Sequence, residues 1–199
     1  MADPAPADAR SRDALDMAAV ADGDRAALGR LMHRHARGIK AVAARTLGSA
    51  QDAEEVVQDT FLRAWRHADR YDPARGAVTT WLYRIGVRLA IDRQRRRALR
   101  RFVGLEEASI DPIDPAPAAE RILAGKDRLA HVRQALLDLP ERQRVALLLG
   151  AVGEMATAEI ADVLGTSRGA AEQLLVRGRK RLRALIEARD AGAIEDLSE

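Results

Sequence analysis

The chain has 199 residues, 33 Lys and Arg against 30 Asp and Glu, a net charge of +3 and no cysteine. Its length allows one ordinary domain or two small ones, and the missing cysteines exclude disulfides, thiolate catalysis and cysteine-based zinc sites, which fits a reducing compartment. The opening MADPAPADARSRDALD lacks the apolar run of a signal peptide, and no run of about 18 apolar residues occurs anywhere; a soluble, cytoplasmic protein without membrane insertion is expected.

Residues 1–12, rich in Ala, Pro and Asp, are expected to be disordered. From Asp24 onward, Leu28, Leu31, Met32, His35, Ile39, Val42, Ala43 and Leu47 recur at three- and four-residue steps, which predicts an amphipathic helix ending at Gly48. Ser49 and Asp52 make an S-x-x-D start signal for a second helix, with Ala53, Val56, Val57, Thr60, Phe61, Ala64 and Trp65 on its inner face. Its outer face carries Asp52, Glu55, Gln58, Asp59, Arg63 and Arg66, either a solvated face or a protein-docking one. Pro73 and Gly76 break this helix. Thr79 or Thr80 is placed to cap a third, in which Leu82, Ile85 and Leu89 face inward while Arg84, Arg88 and Arg95 run along another side.

The stretch Phe61 to Arg101 holds five of the six aromatic residues, followed by eight arginines against the single Asp92. Rings on which bases stack, beside guanidinium groups that hold phosphates, are what a single-strand binder needs. Core aromatics beside a solvated arginine face give the same pattern, and the residues alone leave both readings open. The segment 102–119, FVGLEEASIDPIDPAPAA, has Pro112, Pro115 and Pro117, four acids and no base, and reads as a flexible acidic linker. It separates a helical unit over 13–101 from a second over 120–187, and residues 188–199 form an acidic tail with disorder as the default.

In the second unit, Ile122, Leu129, Val132, Leu136 and Leu137 are helical in spacing, and Pro140 stands at the first position of a new helix. A short helix, Thr157 to Leu164, ends at Gly165, and Ser167 caps a longer one. Ala161 is small where two helices cross, while Ile160, Leu164, Leu174 and Leu175 supply core, so this is a helix-turn-helix with no sign of a wing. Arg168, Arg177, Arg179, Lys180, Arg181 and Arg183 stand against Glu172 alone on the candidate recognition helix. The fold class is therefore all-α: two small helical domains joined by a flexible acidic linker. Two basic patches separated by an acidic spacer point to one polyanion touched at two places. His33, His35, His67 and His131 lack the spacing of metal ligands. No phosphate-cradling loop, H-E-x-x-H or G-x-S-x-G is present, so no catalysis, cofactor, metal or small-molecule substrate is expected.

The order of these blocks resembles a bacterial RNA polymerase sigma factor of the extracytoplasmic-function (ECF) group. DAEEVVQDTFLRAWR is similar to that family's core-polymerase-binding helix and WLYRIGVRLAIDRQRRR to its minus-10 helix. LLDLPERQRVALLL with EIADVLGTSRGAAEQLLVRGRKRLR is similar to its minus-35 helix-turn-helix, and the match spans about Asp24 to Ile186. The resemblance implies a factor that binds core RNA polymerase, directs it to promoter DNA and assists melting. It implies polymerase docking by Asp52, Glu55, Gln58, Asp59, Leu62, Arg63 and Arg66, and minus-10 contacts by Arg70, Tyr71, Trp81, Arg84, Arg88, Arg95 and Arg96, with the turn 69–77 holding a flipped base. It implies minus-35 contacts by Ser167, Arg168, Glu172, Gln173, Arg177, Arg179 and Lys180, a linker threading toward the polymerase channel, and an anti-sigma partner.

Two departures bear on specificity. Arg88 stands where family members often have asparagine, and Glu172 where a lysine is common, so neither promoter preference carries over. Glu accepts from cytosine N4 and Arg reads guanine, which makes Arg168, Glu172 and Gln173 the expected readers of an unusual minus-35 element. The rival from another class is a free-standing regulator that dimerises on DNA through the helix-turn-helix. It leaves the charged face of the first domain and the aromatic turn without a role.

Overall fold

The computed structural model describes residues 6–103 and 123–196. Among them are eight α-helices and no strand: α1 (Pro6–Ala21), α2 (Arg25–Leu47), α3 (Ala50–Arg66), α4 (Val78–Phe102), α5 (Leu123–Leu137), α6 (Glu141–Ala151), α7 (Thr157–Leu164) and α8 (Arg168–Asp196). Two 3-10 turns, Ala68–Arg70 and Pro73–Arg75, join α3 to α4.

The helix ends follow from local chemistry. Asp24 Oδ1 accepts from the Ala26 and Ala27 amides at 2.8 and 3.2 Å, and Ser49 Oγ accepts from the Asp52 amide at 3.2 Å, satisfying donors that the first turn leaves open. Gly48 and Gly165 end α2 and α7 at φ of 70° and 61°, a left-handed conformation that side chains with a Cβ resist. Ser167 Oγ accepts from the Ala170 amide at 3.2 Å at the head of α8, so the helix-turn-helix has the bounds its sequence predicts.

Three expectations are corrected. Residues 6–12 are helical and not disordered, since they open α1. The inward face of α1 hides its periodicity: Met17 and Val20 are buried beside Asp13 and Asp16. Burying two carboxylates is tolerable only when they are paired. Arg34 Nε and His35 Nε2 each lie 2.8 Å from Asp13, Arg30 Nε lies 2.8 Å from Asp16, and Arg34 also bonds Asp16. Second, α4 begins at Val78, so neither Thr79 nor Thr80 caps it; Thr80 is buried, and Thr79 Oγ1 lies 3.5 Å from Asp13. Third, α8 continues to Asp196, so residues 188–196 prolong the recognition helix and are not a disordered tail. Of the linker expected over 102–119, Phe102 ends α4 and Val103 is in a turn; residues 104–119 lie outside the described ones.

The two helical units share one apolar cluster. Met17, Leu31, Ile39, Phe61 and Leu82 of the first continue into Leu139, Val145, Leu149, Ile160 and Leu175 of the second, with α4 packed on α7 and α2 on α6. Arg144 is buried inside the second unit, where Nη1 donates to the Leu137 carbonyl at 2.8 Å and ties α6 to the end of α5. Burial holds its pKa below the ordinary arginine value.

Candidate nucleic-acid interface

The loop between α3 and α4 is built as a rigid wall. Asp72 Oδ1 accepts from the Ala74 amide at 2.9 Å, and the Tyr71 hydroxyl donates to the Gly76 carbonyl at 3.1 Å, closing the loop on itself. The Tyr71 and Trp81 rings meet edge to face with centroids 5.9 Å apart. Both are half-buried against the core and line a cavity of about 200 Å³ with Arg70, Gly76, Thr80 and Arg84. Burial, with the charges of Asp13 and Asp72, raises the Tyr71 pKa, so the phenol stays neutral. Aromatic edges and guanidinium groups around a space of this size suit an unstacked base.

Of the other expected minus-10 residues, Arg88 and Arg96 are exposed along α4. Arg84 and Arg95 are engaged by the second unit: Arg84 Nε donates to the Asp162 carbonyl of α7 at 3.0 Å, and Arg95 Nη2 pairs with Glu141 of α6 at 3.0 Å. Spacing along one helix carries no information about such cross-unit partners.

On α3, Gln58, Asp59, Leu62, Arg63 and Arg66 form one exposed strip, with Leu62 51% exposed. Asp52, half-buried, and Glu55, exposed, continue this face toward the start of α3 and are paired to α4. Arg97 Nη1 lies 2.5 Å from Asp52, and Arg93 pairs with Glu55. Arg93 and Arg97, one helical turn apart, thus belong to the α3–α4 seam, a role that nothing along α4 itself signals. Of the docking face that the resemblance implies, Glu55, Gln58, Asp59, Leu62, Arg63 and Arg66 are exposed and Asp52 is half-buried.

Ser167, Arg168, Glu172, Gln173, Arg177, Arg179 and Lys180 are all exposed on α8 or its cap. Arg168 Nε and Glu172 Oε1 pair at 3.2 Å, one turn apart. A groove of about 520 Å³ that sequence reading missed lies between α6, α7 and α8, floored by Leu147, Leu148, Ile160 and Leu175 and edged by Arg179 and by Arg45 of α2. Among the described residues no cluster of three or more metal-ligating side chains occurs, and no helix is long and apolar enough to cross a membrane.

Two family models match this arrangement in order: Sigma-70 region 2 over residues 31–100 and Sigma-70, region 4 over residues 129–182. The chain belongs to the sigma-70 family, in its ECF group. The RNA polymerase sigma factor NccH of Alcaligenes xylosoxydans xylosoxydans is 36% identical over 195 residues, 94% of this chain and 98% of that protein. The ECF RNA polymerase sigma factor SigM of Mycobacterium tuberculosis is 35% identical over 176 residues, 87% of this chain and 84% of that one. Among solved structures, CnrH in complex with the cytosolic domain of CnrY superposes with a TM-score of 0.67 at 32% identity, covering 89% of this chain and 98% of that one. This sigma factor is a promoter-specific transcription initiation factor that works with RNA polymerase. The expected polymerase-docking and minus-10 residues fall within the region 2 match and the minus-35 residues within the region 4 match, whereas α1 precedes both.

Proposed function

We propose that the residue roles divide by surface. The exposed strip of α3, with Gln58, Asp59, Leu62, Arg63 and Arg66, docks on core polymerase, and Asp52 and Glu55 assist from the seam. Tyr71 and Trp81, with Arg70 at the mouth of the cavity, take up a flipped minus-10 base, while Arg84, Arg88, Arg95 and Arg96 hold phosphates. On α8, Arg168, Glu172 and Gln173 read the minus-35 bases, while Ser167, Arg177, Arg179 and Lys180 position the helix on the backbone. The observation that carries this reading is the cavity of about 200 Å³ at the head of an arginine-rich helix, lined by the aromatic pair and Arg84.

The domains divide as 13–101 and 120–187, with the segment between them as a linker, and the factor acts in the cytoplasm without enzymatic activity of its own. An anti-sigma protein is its further partner. The support is that CnrH was solved in complex with CnrY and that a sigma factor of Bartonella quintana was solved with the anti-sigma factor NepR. The groove edged by Arg45 and Arg179 fits an amphipathic helix with acidic flanks from such a protein.

Run-off transcription with core polymerase on a random-promoter pool tests the proposal. Recovered promoters are expected to share two elements, with Arg168→Ala and Glu172→Ala altering only the upstream one and Tyr71→Ala depressing melting. A pool enriched for no sequence, or enriched equally without this chain, would overturn it.

A further inference from the structure

We propose that Asp13 of α1 is a positioning residue for the minus-10 cavity: its buried carboxylate gives the head of α4 the negative charge that this helix lacks, and so holds Trp81 against Tyr71. The inference rests on the assignment of that cavity to a flipped base. It concerns a residue outside both family matches, since α1 precedes the region 2 match that starts at residue 31.

The head of α4 has no acceptor of its own. The residues just before Val78 are Gly76 and Ala77, neither with a side-chain oxygen, and the first turn holds no acid. A helix start leaves amide groups open and carries a partial positive charge, which a nearby carboxylate stabilises. At the heads of α2 and α3 the need is met locally, by Asp24 and Ser49. At α4 the acid comes from another helix. Thr79 Oγ1, in the first turn, donates to Asp13 Oδ2 at 3.5 Å, and Asp13 is 4% exposed, so its charge is screened little by solvent.

Asp13 differs in this from Asp16, one turn further along α1. Asp16 pairs with Arg30 and Arg34, both of α2. Asp13 takes Arg34 on Oδ1 and His35 on Oδ2, each at 2.8 Å, and the same Oδ2 faces α4. One carboxylate thus ties two helices together, and the other ties three.

The turn that Asp13 steadies carries the cavity wall. The first backbone hydrogen bond of α4 runs from the Trp81 amide to the Ala77 carbonyl at 3.1 Å, and Thr80 and Trp81 both line the cavity. The facing wall is held from the same side. α1 packs on the 3-10 turn Ala68–Arg70, where the buried Ala68 accepts from the Tyr71 amide at 3.0 Å. Burial and the Asp13 charge raise the Tyr71 pKa, so the carboxylate is felt on that wall as well.

The test uses the full chain, alone and with core polymerase. Asp13→Asn keeps the shape of the side chain and removes its charge. In the free chain it is expected to speed hydrogen exchange of the Trp81 to Tyr83 amides about fivefold. In the holoenzyme, on a supercoiled promoter recovered from the random pool, it is expected to lower permanganate reactivity of the melted thymines about fivefold, with duplex binding changed by less than about twofold. Asp16→Asn, which loosens α1 from α2, is expected to lower the melting temperature and leave both readouts in place. Adding Thr79→Asp to Asp13→Asn supplies the acid from α4 itself, and is expected to restore both readouts to within about twofold of wild type. Equal effects of Asp13→Asn and Asp16→Asn on exchange and melting, or no rescue by Thr79→Asp, would show that Asp13 supports only the fold.

Thr79→Val is the second variant should Asp13→Asn lose its fold, because it leaves the pairs between α1 and α2 intact. It is expected to speed exchange at Trp81 and to lower promoter melting by about twofold each; no change sinks the proposal. The underlying assignment fails separately: if Tyr71→Ala leaves promoter melting unaltered, the cavity does not take up a base, while hydrogen exchange still reports whether Asp13 holds the head of α4.

Discussion

Arg97 of α4 lies 2.5 Å from the Asp52 carboxylate in the first turn of α3. A residue of the arginine-rich helix thus neutralises an acid that the family resemblance assigns to polymerase docking, and Arg93 does the same for Glu55. The docking energy is then expected from the exposed strip. Leu62→Ala should weaken core polymerase binding by about tenfold, as for a central apolar anchor, and Glu55→Ala by less than about twofold. Fluorescence anisotropy titration with core polymerase decides it; a larger effect at Glu55 would return the docking face to the α3–α4 seam.

Tyr71 and Trp81 form the wall of the cavity proposed to take up a minus-10 base. Tyr71→Ala is expected to cost about 1–3 kcal/mol in open-complex formation, the size of one lost base–ring stack, with little loss in closed-promoter binding. Tyr71→Phe keeps the ring but not the bond to Gly76 and should cost about 1 kcal/mol or less. Permanganate reactivity of thymines in the melted region, against filter binding of the duplex promoter, separates the two steps. Equal loss in both would mean that the ring supports only the fold.

Arg168 and Glu172 pair across one turn of α8, so each fixes the direction of the other's polar group. Replacing either with Ala should change base preference at the minus-35 element by about 1–3 kcal/mol at one position. Lys180→Ala should weaken binding to all sequences alike and reduce the magnitude of the salt slope by about one. Promoter-library selection at two salt concentrations measures both effects, and a selected minus-35 sequence that is the same for wild type and Glu172→Ala would remove the reading role of that pair.

Asp13 and Asp16 have pKa values below the ordinary aspartate value. Burial acts upward on Asp13, but the hydrogen bonds and charges of His35 and Arg34 outweigh it; on Asp16 burial is likewise outweighed, by Arg30 and Arg34. A depressed folded value contributes stability that is complete above the unfolded pKa, near ~4, and is lost as pH falls through the folded value. The melting temperature should therefore drop more steeply between about pH 5 and pH 3 in the wild type than in Asp13→Asn/Asp16→Asn. Thermal melts followed by circular dichroism test this, and parallel pH slopes in the two proteins would rule out a coupling of α1 to α2 through these carboxylates.

Much of the architecture was legible from local rules. Gly48, Ser49, Gly165 and Ser167 each serve the helix end their residue type predicts, because caps are set by chemistry within four residues. α1 was not legible, because half of its inner face is acid and those acids are acceptable only beside Arg30, Arg34 and His35, which lie on another helix. The candidate site divides in the same way. Tyr71, Trp81 and the arginines of α4 stand out by composition, and the resemblance gives them their expected role, but the turn that aims Tyr71 depends on Asp72, Gly76 and the packing of both rings on the core.

The sequence by itself determined an all-helical chain, its two basic helices and the order of the region 2 and region 4 blocks, since periodicity, caps and charge are written residue by residue. Only the tertiary structure decided which partners these arginines meet. Arg84 and Arg95 meet oxygens of α7 and α6, Arg93 and Arg97 meet the acids of α3, and Arg88 and Arg96 stay exposed. All six share one helix and one chemistry, and their partners lie on other helices, so no spacing rule along α4 can tell them apart.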